Sequence, residues 1–352
     1  MKVANFKGRG TNYHPDNSYE KNTRVLEHIE GIDLPEYEEN PATKFIHVET
    51  KSALSINNSP DLPLNYSVNP YQGCEHGCIY CYARNSHQYW GYDSGLGFET
   101  NILVKTDIVK QLKSKFDKKN YKPQTIMLSG NTDCYQPAEN KFQLTRQILK
   151  LCLEYKHPVS VITKNSLIER DMDVLQALAE KKLVHVYFSI NHLDNDLKLL
   201  LEPRTAVAKK KIGLIKKFSQ KNIPCGTMVA PIIPGINTEV IPQIIKMVAE
   251  AGALKIGYTV VRLNGQVSEL FKAWLDRHFP DKSSKVMHQI EALHGGKSND
   301  TEWGRRLKGD GVLAETISNL VQLSIKKYLP AGSKMPDYDF SKFNNNDQLK
   351  LF

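Results

Sequence analysis

The 352-residue sequence holds little that would place it outside a reducing, aqueous compartment. No apolar run approaches the roughly 20 residues that cross a bilayer. The first residues, Met1-Lys-Val-Ala-Asn-Phe-Lys, lack the apolar core of a secretory signal. Cysteine is scarce, at six residues, and Cys134, Cys152 and Cys225 stand apart from one another. A disulfide framework needs an oxidising compartment, and nothing in the chain points to one. The expectation is a soluble, cytoplasmic protein. A second cysteine cluster with ligand spacing is also missing, which argues against an auxiliary metal centre. Gly95-Leu-Gly is too short to be a phosphate loop.

What is present is a chain long enough for two average domains or one large α/β barrel, with 40% hydrophobic residues to fill a core. Lys and Arg number 47 against 38 Asp and Glu, a net charge of +9. A basic surface favours polyanions, of which nucleic acid is the commonest. Ordinary lysine-rich solubility is the plainer explanation of the same number.

The remaining three cysteines carry the strongest signal. Asn69–Arg84 reads Asn-Pro-Tyr-Gln-Gly-Cys-Glu-His-Gly-Cys-Ile-Tyr-Cys-Tyr-Ala-Arg, which places Cys74, Cys78 and Cys81 in C-x3-C-x2-C spacing. Three soft ligands from one loop suit a cubic iron–sulfur cluster with one iron left open for a substrate or cofactor. Zinc would want a fourth ligand, and His76 and His87 lie near enough in sequence to supply it.

From residue 65 strand-like and helix-like runs alternate, the signature of a parallel α/β architecture. Strands are expected at Tyr66–Tyr71, Thr125–Ser129, Val159–Thr163, Val184–Ile190, Gly226–Ile232 and Lys255–Arg262. Helices are expected near 105–118, 141–155, 171–181, 206–220, 238–250 and 268–278. Phe45–Thr50 also alternates like a strand. Beyond residue 263 the chain should be largely helical, with Ala314–Tyr328 amphipathic through Ile317, Leu320, Val321 and Ile325. Lys2, Lys7 and Arg9 in the polar leader, and Arg305, Arg306 and Lys308 further on, are either phosphate contacts or solvated charges.

The cysteine spacing, with the aromatic Tyr80 before the last cysteine, resembles the radical S-adenosylmethionine (SAM) superfamily. The stretch from Asn58-Ser-Pro-Asp-Leu-Pro to Tyr82-Ala-Arg is similar to a bacterial DNA-repair-photolyase-like branch, related to spore photoproduct lyase. The resemblance implies a [4Fe–4S] cluster on Cys74, Cys78 and Cys81 whose fourth iron is chelated by SAM. Reductive cleavage of SAM then gives a 5′-deoxyadenosyl radical. The implied fold is α/β, a partial (β/α)6 TIM-type barrel at 65–265. It would carry an N-terminal arm (1–64), a helical C-terminal extension (266–335) closing the open side, and a flexible tail (336–352). In such barrels chemistry sits at the C-terminal ends of the strands, where the cysteine loop falls.

The resemblance also assigns further residues. Gly130 and Asn131 occupy the position whose backbone holds the amino group of SAM, although the familiar Gly-Gly-Glu is absent. Lys164 and Ser189 match residues that contact the SAM carboxylate and sugar. Tyr80 and Ile233 would flank the cofactor, Ile233 at the adenine. Arg204 is a candidate for a carboxylate or a substrate phosphate, with Glu202 orienting it or binding ribose hydroxyls. Cys134 would correspond to a cysteine thought to donate hydrogen to a substrate radical; a small buried hydrophobe is the alternative.

Nucleic acid and a low-potential electron donor are the expected partners. The C-terminal Gln348-Leu349-Lys350-Leu351-Phe352 resembles peptides that dock on the DNA sliding clamp. The alternatives are a radical enzyme on tRNA, a peptide or a small metabolite, and a non-catalytic iron–sulfur adaptor on the clamp.

Overall fold

The structure, a computed structural model, describes residues 6–12, 14–19, 41–62 and 64–344. The chain forms β1 (Lys44–Val48), β2 (Ser55–Ile56), β3 (Tyr66–Val68) and β4 (Tyr71–Gln72). A 3-10 helix at Tyr82–Trp90 is followed by α1 (Leu96–Thr100), β5 (Asn101–Lys105) and α2 (Ile108–Phe116). Then β6 (Ile126–Leu128) leads through α3 (Glu139–Phe142) into α4 (Leu144–Glu154), and β7 (Val159–Thr163) into α5 (Met172–Ala179). Next come β8 (Val184–Ser189), α6 (Asn195–Leu201), α7 (Ala208–Gln220), β9 (Cys225–Ile232) and α8 (Ile241–Glu250). Finally β10 (Lys255–Val260) precedes α9 (Val267–His278), α10 (Pro280–Leu293) and α11 (Gly311–Tyr328). No helix among the described residues is long and apolar enough to cross a membrane.

Strands β3, β6, β7, β8, β9 and β10 lie parallel and in sequence order in one sheet, with β2 antiparallel at the β3 edge. Sequential parallel strands linked by helices are the (β/α)6 arrangement expected from the alternation. The strands are buried on both faces, so they read as continuous apolar runs such as Val159-Ser-Val-Ile-Thr163. The first and last strands do not pair, and the sheet stays open.

One expected strand, Tyr66–Tyr71, divides in two. Tyr66–Val68 stays in the main sheet, whereas Tyr71–Gln72 joins a small second sheet of order β1-β5-β4. Pro70 stands at the division; it has no N–H to donate to a ladder. The chain therefore changes sheets immediately before the cysteine loop. β1 and β2 also draw part of the expected arm into the two sheets.

The C-terminal region departs from expectation as well. Residues 336–344 are not a free tail. Tyr338 stacks on His185 at 4.0 Å between ring centroids, and Phe343 packs against Phe116, Tyr121 and His157. These aromatics supply apolar area that an asparagine-rich composition conceals. The clamp-like residues Gln348, Leu349, Leu351 and Phe352 lie outside the described residues.

The segment 298–308 runs along the β10 edge, where Val260 N–H donates to Leu307 O and Leu263 N–H to Ser298 O. From there Arg306 reaches Asp61 and Ser59 in the loop between β2 and β3. This contact joins loops from the two ends of the open sheet. Arg305 is paired with Asp300, Glu302 and Asp310, and Lys308 donates to Tyr258 O at 2.9 Å. The basic cluster is thus largely committed within the protein.

Phe188, at the centre of the sheet in β8, is fully buried against Phe218. Phe188→Ala should destabilise the protein by roughly 3–5 kcal/mol, the cost of a large cavity in a close-packed core. Urea unfolding of the apoprotein measures it, and a loss under about 1 kcal/mol would contradict the packing described.

Candidate active site

The cysteine loop is held by backbone hydrogen bonds to distant elements. Cys74 N–H donates to Phe98 O at 2.9 Å, Ile79 N–H to Leu201 O at 3.1 Å, and Arg204 N–H to His76 O at 3.2 Å. Gln136 spans the loop's start, donating to Gly73 O and accepting from Glu75 N–H, both at 3.0 Å. Gly73 has φ +82°, and a Cβ there would lie 2.7 Å from Asn101 O. That position requires glycine for both conformation and space.

A buried ion pair braces the same loop. Arg84 and Glu99, both fully buried, approach to 2.6 Å. Arg84 also donates to Cys78 O, Ser94 O and Gly95 O. Glu99 accepts from the backbone N–H groups of Gly10 and Thr11, which presses the N-terminal segment onto the loop. Arg9, read as a possible phosphate contact, is buried and donates to Glu99 O and Pro41 O.

Cys74, Cys78 and Cys81 line one cavity of about 520 Å³ with Tyr80, Gly130, Asn131, Asp133, Lys164 and Ser189. Burial pushes the Cys74 and Cys78 thiols up, so metal binding there must displace protons. Among the described residues, no group of three or more His, Cys, Asp or Glu is gathered on a single point where one ion would sit. A zinc ion would require four ligands at about 2.0–2.3 Å. Neither histidine completes such a set. His76 Nε2 is 3.0 Å from Asn165 Nδ2 and its Nδ1 is 3.4 Å from Asp133. His87 stacks on Tyr92, outside the cavity lining. Three thiols on one cavity, with no fourth ligand beside them among the described residues, are the donor set that a cubic cluster with one open iron takes.

Behind Tyr80 lies a charged cluster. The Tyr80 hydroxyl donates to Glu202, which is fully buried. Lys164 Nζ stands 4.0 Å, Lys211 Nζ 3.9 Å and His192 Nε2 3.4 Å from the Glu202 carboxylate. Burial would raise the Glu202 pKa, but Lys164 and Lys211 outweigh it and hold the group well below the usual carboxylate range. Burial lowers Lys211 to about 8, while its Nζ donates to Ser189 O at 2.8 Å. Glu202 is thus occupied by Tyr80, Lys164, Lys211 and His192, does not line the cavity, and makes no ion pair with Arg204. Arg204 turns away from the cavity, donating to Gly8 O at 3.0 Å with Glu75 at 3.5 Å.

Asp133 ties neighbouring strand ends together. It accepts from Thr163 Oγ1 at 2.8 Å and from Lys164 N–H at 2.7 Å. Gly130 O accepts from the Tyr82 hydroxyl at 2.7 Å, and Asn131 N–H donates to Asn69 Oδ1 at 2.7 Å. Cys134, the candidate hydrogen donor, is fully buried in the main core and does not line the cavity. Ile233 is likewise buried, packed in the cluster that contains Tyr80 and Leu201. The wall near it is lined instead by Ala230, Pro231, Thr259, Val260 and Val261. Sequence reasoning missed Tyr82 and Arg262 as lining residues; the only signal was their place just past Cys81 and at a strand end.

The sequence model of the Radical SAM superfamily matches residues 68–248. An uncharacterized protein of Mycobacterium tuberculosis is 30% identical over 260 residues, 73% of this chain and 76% of that protein. An uncharacterized protein of Methanocaldococcus jannaschii is 28% identical over 243 residues, 69% of this chain and 86% of that protein. Among solved structures, spore photoproduct lyase complexed with dinucleoside spore photoproduct is similar with a TM-score of 0.60. That match covers 81% of this chain and 80% of the other at 14% identity, a likeness of fold.

Removing the Glu99 carboxylate leaves the Arg84 guanidinium buried without its anion. Glu99→Ala should cost roughly 3–5 kcal/mol and lower the iron retained after anaerobic reconstitution. Urea unfolding and iron analysis measure both; unchanged values in both would show that the pair does not brace the loop.

Proposed function

The chain belongs to the radical SAM superfamily, and on that premise we propose that it acts on nucleic acid, at a damaged or modified base. Its cofactors are a [4Fe–4S] cluster and SAM. Cys74, Cys78 and Cys81 would hold the cluster. Cluster and SAM, once bound, would supply one-electron reductive cleavage of SAM and hydrogen-atom abstraction from the substrate.

The chain's own residues prepare the site for that chemistry. Lys164 offers a point charge to the SAM carboxylate. Tyr80 presents its ring to the cavity in an orientation fixed by Glu202 and Asn191. Gly130 and Asn131 place backbone beside the loop, and Ser189 offers a hydroxyl. Leu62, Leu64, Met127, Met228 and Val261 form an apolar wall that limits water around a reactive intermediate.

The observation that carries the reading is the cavity itself: three thiols, Lys164 and Ser189 line one space at the strand ends. The substrate class is supported by the net charge of +9 and by the fold shared with a lyase whose structure carries a dinucleoside lesion. Tyr82, Tyr89, Trp90 and Trp303 are exposed large aromatics, the kind of surface on which bases stack. A low-potential donor would supply the electron. The C-terminal Gln348-Leu-Lys-Leu-Phe352 suits docking on a sliding clamp, a reading supported by sequence alone.

The test is anaerobic reconstitution with iron and sulfide, then dithionite and SAM with and without ultraviolet-damaged DNA. We expect 5′-deoxyadenosine in both cases and more of it with damaged DNA. Cys74→Ala, Cys78→Ala and Cys81→Ala should each abolish it. Product from any of these variants would sink the cluster assignment, and no response to any nucleic acid would sink the substrate class.

A further inference from the structure

Arg262 lines the cavity just beyond β10 and makes no hydrogen bond or ion pair with any described residue. The other arginines around the site are satisfied within the protein. Arg84 has Glu99, Arg204 has Gly8 and Glu75, Arg305 has Asp300, and Arg306 has Asp61 and Ser59. Asp61 and Asp300 are the acids near Arg262; Asp61 already accepts from Gly304 N–H and Arg306, and Asp300 is paired with Arg305. Arg262 is half-buried, so its charge is partly withdrawn from water, and no described side chain hydrogen-bonds to it in exchange. Arg306 beside it adds like charge. A guanidinium in that state is a ready site for an anion, which it holds through two parallel N–H donors.

The surroundings choose among anions. Lys164 lines the cavity and its field reaches both Cys78 and Cys81, which suits the carboxylate of a ligand at the cluster. Arg262 instead stands at the rim, where the Asp61 loop meets the 298–308 segment. Besides Arg306, the cavity there is lined by the apolar or aromatic Leu62, Leu64, Leu307 and Tyr82. Tyr82 is 49% exposed despite its hydrogen bond to Gly130. Trp303, 60% exposed, precedes Gly304 on the same rim. An open aromatic face beside an unpaired guanidinium matches a base and its adjoining phosphate.

We propose that Arg262 is the substrate's anion contact, binding a backbone phosphate of a nucleic-acid strand whose base enters the cavity beside Tyr82. This rests on the nucleic-acid reading above and names the residue that anchors the strand.

The experiment uses the full chain, reconstituted anaerobically, with a fluorescein-labelled single-stranded DNA oligonucleotide read by anisotropy across a salt series. Arg262→Gln and Arg262→Lys are compared with Arg277→Gln, which removes an exposed arginine on α9 outside this cavity. Thermal melting checks that each variant folds, and equilibrium dialysis measures SAM binding. Arg262→Gln should weaken oligonucleotide binding about tenfold or more and reduce the salt slope by about 0.7. Arg262→Lys should fall between it and the wild type, Arg277→Gln should change affinity less than about twofold, and SAM binding should hold throughout. Loss of SAM binding in Arg262→Gln with DNA binding intact would assign the arginine to the cofactor and overturn the proposal. DNA binding unchanged in folded Arg262→Gln would overturn it while leaving the nucleic-acid reading in place. A wild-type protein that binds no oligonucleotide would overturn that reading, and the proposal with it.

Discussion

The cysteine loop depends on one buried charge pair. Arg84 and Glu99 are both removed from water, and such a pair is tolerated only when its remaining donors and acceptors are also met. Here they are. Arg84 gives three further protons to backbone carbonyls, one of them on Cys78. Glu99 takes two backbone N–H groups from the N-terminal segment. One ion pair therefore fixes the loop, the 3-10 helix after it, α1 and residues 9–11 relative to one another. The contact between Gly10 and Gly77, too close for any side chain at Gly10, follows from that clamp.

The cavity divides by electrostatics. At the cysteine end charge is plentiful and internally paired: Glu202 gathers Lys164, Lys211, His192 and the Tyr80 hydroxyl, and Asp133 gathers Thr163 and the Lys164 backbone. Such pairing holds side chains in place before a ligand arrives, which is what orienting a reactive cofactor requires. At the rim the balance changes. Apolar and aromatic groups share the lining with a guanidinium that has no hydrogen-bonded partner among the described residues. The two ends ask for chemically different parts of the bound molecules.

The open sheet accounts for how that rim is built. An eight-stranded barrel closes on itself through its own hydrogen bonds. In this chain β2 and β10 are edges, and the gap is crossed by side chains, Arg306 to Asp61 above all. A mouth made from loops can vary with the substrate while the cysteine end stays fixed on strands.

The parallel order of β3 and β6–β10, and the helices between them, were legible in the sequence. The cause is local: buried parallel strands are continuous apolar runs, and the helices that cover them show a 3.6-residue period. That the three cysteines fall together was legible too, because their spacing confines them to one loop, and the structure places all three on one cavity. The placements of the Glu202, Arg204, Cys134 and Ile233 side chains outside the cavity lining were not. Each lies in a segment whose position was foreseen, but side-chain direction at a strand end is set by partners far along the chain. Glu202 turns to Tyr80, 122 residues away, and Arg204 to Gly8, 196 residues away. The division of Tyr66–Tyr71 between two sheets and the docking of Tyr338 and Phe343 have the same origin. Sequence alone determined most of the strands and helices and the loop that gathers the three cysteines. Only the tertiary structure decided which charges are neutralised within the protein and which, like Arg262, are left to face a ligand, because charge pairing depends on distances that no local pattern encodes.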